Sequence, residues 1–272
     1  MSTMSEVLAT RMLESGRYSD LTIKCGGKVF RVHRNVVCLQ SRPLAAHVDG
    51  VFLEAVSGEI NLPDDHPAIF ERLIKFLYTG DFNATPSPNE VVAEEQLGNC
   101  VKETSSLGSS HALGSDPGFV AEDVGSETVD TPLDRLTICT RIFVMAEKYD
   151  ISALKTLAKT KFEALVPYDW NTSALSESLR LMYDGLPDSD RLLKDVAVAA
   201  AAGHVKELVD RGEFVALCKD NGDIAFDVLK ASLSPTRKIK NCPYGGISHA
   251  SRVSYRESQQ EYYCSLCNDY FD

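Results

Sequence analysis

The sequence has no uninterrupted apolar run of the ~18 residues that a membrane helix needs, and the reading is of a chain with no membrane span. Its first residues, MSTMSEVLATRMLESGRYSD, lack the continuous apolar core of a secretory leader. Its eight cysteines lack the spacing of a disulfide framework, and only the last three cluster. That usage points to a reducing intracellular compartment, cytoplasmic or nuclear, in which the sequons at Asn83 and Asn171 stay unused. Basic residues are also scarce, 28 Lys and Arg against 39 Asp and Glu. Nucleic acid is thereby disfavoured as a partner. Neither a Gly-rich phosphate loop nor a nucleophile elbow is present, which removes the commonest catalytic signatures.

The acidic excess is unevenly placed. Between residues 84 and 133 there are nine acidic residues against Lys102 alone, so this stretch holds −8 of the net −11. It is rich in Ser, Gly and Pro, with Phe119 nearly its sole aromatic. Such a composition buries too little apolar surface to offset its ordering entropy, and the segment reads as a disordered acidic loop.

Patterned sequence lies on both sides. Residues 5 to 15 put Val7, Leu8 and Met12 on one helical stripe that ends near Gly16. Leu21, Ile23 and Cys25 alternate, as do Phe30 and Val32, with Gly26-Gly27 between them as a two-residue hairpin turn. A short helix over 35 to 40 follows, then one opened by Ser41 and Pro43 and stopped by Gly50. GEINLPD reads as a third strand, and Asp65 with Pro67 starts a helix that stops at Gly80. After the acidic loop, Ile138, Ile142, Met145 and Tyr149 form one helical stripe, and Leu154, Leu157, Ala158, Phe162 and Leu165 the next. The short Asp150-Ile151-Ser152 junction makes them a helical hairpin. Residues 171 to 233, including DVAVAAAAGHVKELVD, read as further helices. The fold class is α+β followed by an all-α extension.

SDLTIKCGGKVFRVHRNVVCLQS, GEINLPDDHPAIFERLIKFLYTGDF and AEKYDISALKTLAKTKF, three separated motifs in order, resemble a BTB/POZ domain of the fungal type. The resemblance covers about residues 17 to 82 and 135 to 165. It implies a small, mainly antiparallel sheet flanked by helical hairpins. The chain then divides into an N-terminal dimerisation helix (1–16), a BTB/POZ domain (17–166) with the acidic insertion (84–133), a helical extension (167–233) and a Cys/His tail (234–272). Leu44 stands where the family usually has an aromatic, and still fills an apolar site.

The resemblance also assigns roles. His33, which with Asp20 and Cys38 nearby invites a catalytic reading, becomes a framework residue at a strand-to-helix junction, and Cys38 lies on the apolar stripe of a short helix. Asp20 and Arg34 line a charged pocket near the dimer groove. Val7, Leu8 and Met12 supply a homodimer contact, with packing on their own domain as the alternative. Similar domains bind a cullin scaffold through a hydrophobic-x-Glu step, which Phe52-Leu53-Glu54 matches; Phe52 would bury in an apolar cleft and Glu54 orient at its rim. The implied activity is non-enzymatic. The chain is either a dimeric adaptor bringing a target protein to a ubiquitin ligase, or a scaffold or transcription-associated oligomeriser. Nothing resembles a kelch array or a MATH domain, so the target is left open.

The tail carries the one metal-like pattern. Cys264 and Cys267 form a Cys-x-x-Cys knuckle, and Cys242 precedes it in CPYG, where a zinc ribbon would place a second cysteine at Gly245. His249 is the nearest substitute, giving Cys242, His249, Cys264 and Cys267 as a set for one structural zinc. A degenerate, metal-free ribbon and a redox Cys-x-x-Cys are the alternatives.

Overall fold

The computed structural model describes residues 4–49, 57–87, 133–233, 242–244, 253–256 and 261–271. Two compact units result, residues 1–228 and 229–272.

The first unit opens with helix α1 (Met4–Ser15) and the hairpin β1 (Leu21–Cys25) and β2 (Lys28–Val32). The hairpin turn needs glycine twice over. Gly26 and Gly27 both take positive φ (49° and 78°), and a Cβ at Gly26 would stand 2.9 Å from the Pro67 ring. Helices α2 (Arg34–Val37) and α3 (Arg42–Asp49) follow, then strand β3 (Glu59–Leu62). β1 lies between its neighbours, antiparallel to β2 and parallel to β3. The parallel pair follows from the crossover: the chain leaves β2, traverses α2 and α3, and returns in the direction of β1.

Helix α4 (Pro67–Thr79) starts on Pro67, whose missing N–H costs nothing at a first turn, and ends at Gly80 with φ 74°. Its inner face meets the sheet. Phe30 of β2, Phe70 of α4 and Tyr149 stack edge to face in succession, with centroids 5.4 and 5.8 Å apart. Ile23, Val32, Leu44, Ile60 and Leu73 complete this core.

Helices α5 (Arg135–Lys148) and α6 (Ser152–Asp169) form the expected hairpin. Asp134 caps α5 by accepting from the Thr137 N–H at 2.9 Å. Helix α7 (Ser173–Gly185) packs on α5, where a Cβ at Gly185 would stand 2.9 Å from Val144. Helices α8 (Lys194–Gly203), α9 (Val205–Leu208), α10 (Gly212–Asp220) and α11 (Gly222–Leu233) continue the chain. The Ala-rich stretch, read among the further helices, forms two that meet at His204, whose ring stacks on Trp170 at 3.6 Å and 5°.

The acidic segment is anchored where it leaves the domain. Phe82 is buried, and Lys161 donates to its carbonyl at 2.7 Å. Arg72 donates to the carbonyls of Asn83 (2.9 Å) and Thr85 (3.1 Å). At the far end Leu133 is buried. Residues 84–87 and 133 of the segment read as a loop therefore belong to the described fold, and 88–132 lie outside the described residues.

The second unit contains strands β4 (Val253–Arg256), β5 (Glu261–Cys264) and β6 (Asp269–Phe271) in one antiparallel sheet. No described helix is long and apolar enough to cross a membrane.

Candidate interaction surface and thiol cluster

The His33 junction is a buried hydrogen-bonded hub. His33 Nε2 lies 2.8 Å from the Arg17 carbonyl and Nδ1 lies 2.7 Å from the Tyr78 hydroxyl. A carbonyl can only accept, so Nε2 carries the proton and Nδ1 accepts from Tyr78. The same hydroxyl accepts the His33 backbone N–H at 2.8 Å. Both ring nitrogens are committed to framework, as expected for this residue.

Asp20 and Arg34 are brought together, in a way their charges alone do not suggest. The Asp20 carboxylate accepts the backbone N–H of Arg34 at 2.8 Å, so it caps α2. The Arg34 guanidinium reaches the other way and donates to the Val48 carbonyl at 2.8 Å, tying α2 to the last turn of α3. Ser41 plays a comparable part, donating to the Tyr149 carbonyl at 2.8 Å.

Helix α1 packs on α4 through its half-buried residues, among them Ala9, Met12 and Leu13. Val7 and Leu8 face solvent, 38% and 60% exposed. Of the three residues assigned to a dimer contact, two are thus available to a partner and Met12 is half turned inward. Phe52 and Glu54, assigned to a scaffold contact, lie outside the described residues.

One polar cluster escaped the sequence reading. Asp65 receives both Lys148 (2.8 Å) and the Tyr149 hydroxyl (2.6 Å), and its backbone carbonyl accepts from the Cys25 thiol at 3.1 Å. Burial, followed by the bond to Asp65, pushes the Tyr149 hydroxyl far up, and burial pushes the Cys25 thiol up to about 11. These partners lie more than 80 residues apart from Asp65 in the case of α5, so no local pattern announces them. A cleft of about 570 Å³ at the junction of α5, α6 and α7 is charged, but its ions pair with one another, Arg135 with Asp169 at 2.7 Å and Arg180 with Glu177 at 3.8 Å.

In the second unit, Cys242, Cys264 and Cys267 converge, their Sγ atoms all within 4.8 Å of one another. Cys242 and Cys267 are 3.5 Å apart. Burial acts to raise the Cys264 thiol, but bonds from the backbone N–H groups of Cys267 and Leu266 and from the two other thiols bring it down to about 7. Its bond to Cys242, then burial, pushes Cys267 up to about 12. His249, the fourth member of the expected set, lies outside the described residues.

Residues 9–97 match the BTB/POZ domain family. The chain is also similar to Kelch-like protein 30 of Homo sapiens, 32% identical over 75 residues. That stretch is 28% of this chain and 13% of the relative, so the chain spans only a small part of the relative's length. The family match begins within α1, takes in the hairpin and α4, and ends inside the acidic segment; α5 and α6, which the sequence resemblance also claimed, follow it. Residues 9–97 thus carry a BTB/POZ domain within an α+β fold, and a BTB/POZ domain is a protein-interaction module.

Proposed function

We propose that this chain is a homodimeric, intracellular adaptor that joins a target protein to a cullin-type ubiquitin ligase. The observation that carries the reading is the BTB/POZ match over residues 9–97, which begins just after Val7 and Leu8 and includes the Phe52-Leu53-Glu54 step between α3 and β3 in the sequence. Self-association is supported by Val7 and Leu8, two exposed apolar residues next to each other on a helix whose other side is already packed. Two apolar side chains on each of two protomers make a small seam. The hairpin would have to widen it toward the ~800 Å² per partner of a standard interface.

The ligase contact has a direct test. Purified wild-type chain and the Phe52→Ala/Glu54→Lys variant are presented to immobilised cullin N-terminal regions. Retention of wild type and at least tenfold weaker retention of the variant supports the adaptor reading. If neither is retained while both remain dimeric, the chain is the scaffold or transcription-associated oligomeriser instead.

A further inference from the structure

Three thiols meet in the second unit. Among its described residues only Cys242 and Cys264 are buried, at 1% and 0% exposure. The larger side chains described there stay at the surface or half in it: Tyr244 and Leu266 are 71% and 57% exposed, and Tyr262, Tyr263 and Phe271 are half-buried. A unit confined to residues 229–272 is below the size at which an apolar core alone holds a fold, and such units are stapled by disulfides or metals. Among the side chains described there, the two buried ones are thiols, with the half-buried Cys267 beside them.

We infer that Cys242, Cys264 and Cys267 supply, as thiolates, three of the four ligands of one structural zinc ion, and that this ion holds the second unit together. Three observations carry this. The first is spacing. Zinc bound to thiolates at ~2.3 Å in a tetrahedron sets sulfur atoms ~3.8 Å apart; Cys242 and Cys267 lie 3.5 Å apart and all three sulfurs within 4.8 Å. The second is the turn. Cys264 ends β5 and Cys267 precedes β6. Asn268, at φ 55°, donates its N–H to the Cys264 carbonyl at 2.8 Å. The Tyr263 hydroxyl donates to the Asn268 side chain at 2.6 Å and braces the turn between the two thiols. The third is parity. Three thiols cannot all be satisfied by one disulfide, whereas one ion takes all three.

The ion's work is to join sequence-distant parts. Cys264 pairs with Val253 of β4 on one side and Asp269 of β6 on the other, so anchoring it fixes all three strands. Cys242 lies more than twenty residues earlier and is joined to the sheet through sulfur. Zinc takes all three cysteines as thiolates, so loading is coupled to proton release.

The test uses the full chain, purified under reducing conditions. Elemental analysis should give about one zinc per chain, and cobalt(II) added to the metal-stripped chain should produce a near-ultraviolet sulfur-to-metal band. Cys242→Ser and Cys264→Ser should each lose the zinc at a chelator concentration that leaves wild type loaded. Chelation should open residues 234–272 to protease while the helical signal of the first unit stays. Cobalt titration of wild type needs no variant to fold, so it decides the matter if the serine variants are degraded. A stripped chain with all three tail thiols free to a thiol reagent and no cobalt band overturns the site. So does a freshly prepared chain whose mass shows a Cys242–Cys267 crosslink and no metal.

Discussion

The assignment of His33 as framework makes Tyr78→Phe an informative substitution. The Tyr78 hydroxyl accepts the His33 backbone N–H at 2.8 Å and donates to Nδ1 at 2.7 Å. Both residues are buried, His33 at 5% exposure and Tyr78 at 8%. Removing one oxygen leaves a backbone donor and a ring acceptor without partners while the rings keep their edge-to-face packing at 5.9 Å. A buried polar group left unsatisfied costs roughly 1–3 kcal/mol, and two sharing one site, with some relaxation, cost about 2–4 kcal/mol. For a unit of this size that is a fall in Tm of about 5–15 °C. Urea unfolding followed by circular dichroism should show a lower midpoint at unchanged slope. Tyr168→Phe, at a 77% exposed residue, is the control and should move by less than ~0.5 kcal/mol. Burial also holds the Tyr78 hydroxyl above the ordinary tyrosine range. Its contribution is therefore present at neutral pH and lost as pH rises past about 10, a dependence that Tyr78→Phe should weaken. A Tyr78→Phe protein within ~0.5 kcal/mol of wild type would refute the hub, since no buried pair can lose its partner for nothing.

Two further outcomes follow from the same geometry. Deleting residues 1–16, or the milder Val7→Glu/Leu8→Glu, should shift the light-scattering mass toward the monomer; a monomeric wild type, or a double variant that stays dimeric, would remove α1 from the dimer contact. Replacing residues 88–132 with a short Gly/Ser linker should move Tm by less than about 2 °C, because the anchors at Phe82, Asn83, Thr85 and Leu133 are kept; a larger fall would mean that the acidic segment packs.

What could be read from the sequence was what depends on neighbours along the chain. Gly26-Gly27, Pro67 and Gly80 mark turns and helix ends because their backbones permit few alternatives, and the hairpin and α4 begin and end where those residues stand. The stripe over Ile138, Ile142, Met145 and Tyr149 is likewise buried as its spacing requires, and is capped by Asp134. What escaped depends on partners far away. Arg72 looks like a surface arginine on a helix, and only the returning loop shows that it closes the exit toward the acidic segment. Asp65 reads as a residue before a helix and turns out to gather Lys148 and Tyr149. His204 follows an Ala-rich run whose sequence marks no exact helix end, and its stacking on Trp170 accompanies the junction of α8 and α9. At the candidate sites the division is the same: the knuckle spacing of Cys264 and Cys267 was visible, but Cys242's arrival beside them required the fold.

The cysteines show how one residue type is put to two uses by its surroundings. Cys25 and Cys139 are fully buried in the first unit, and burial, the leading cause in each, pushes their thiols up to about 11 and about 12. At neutral pH a thiol at about 11 is ionised only to about one part in ten thousand, so neither serves as a nucleophile, and both act as small apolar fillers. Cys38 and Cys218 are displaced upward by burial as well. A catalytic Cys38 beside His33 would need the opposite displacement and a free imidazole nitrogen, and the Tyr78 and Arg17 bonds occupy both nitrogens. In the second unit each of the three thiols has the other two within 4.8 Å, and Cys242 and Cys264 are the buried residues among those described. Apolar surroundings make a cysteine filler. Convergent cysteines offer one ion a shared set of ligands, and that is the use we infer for the three thiols of the second unit.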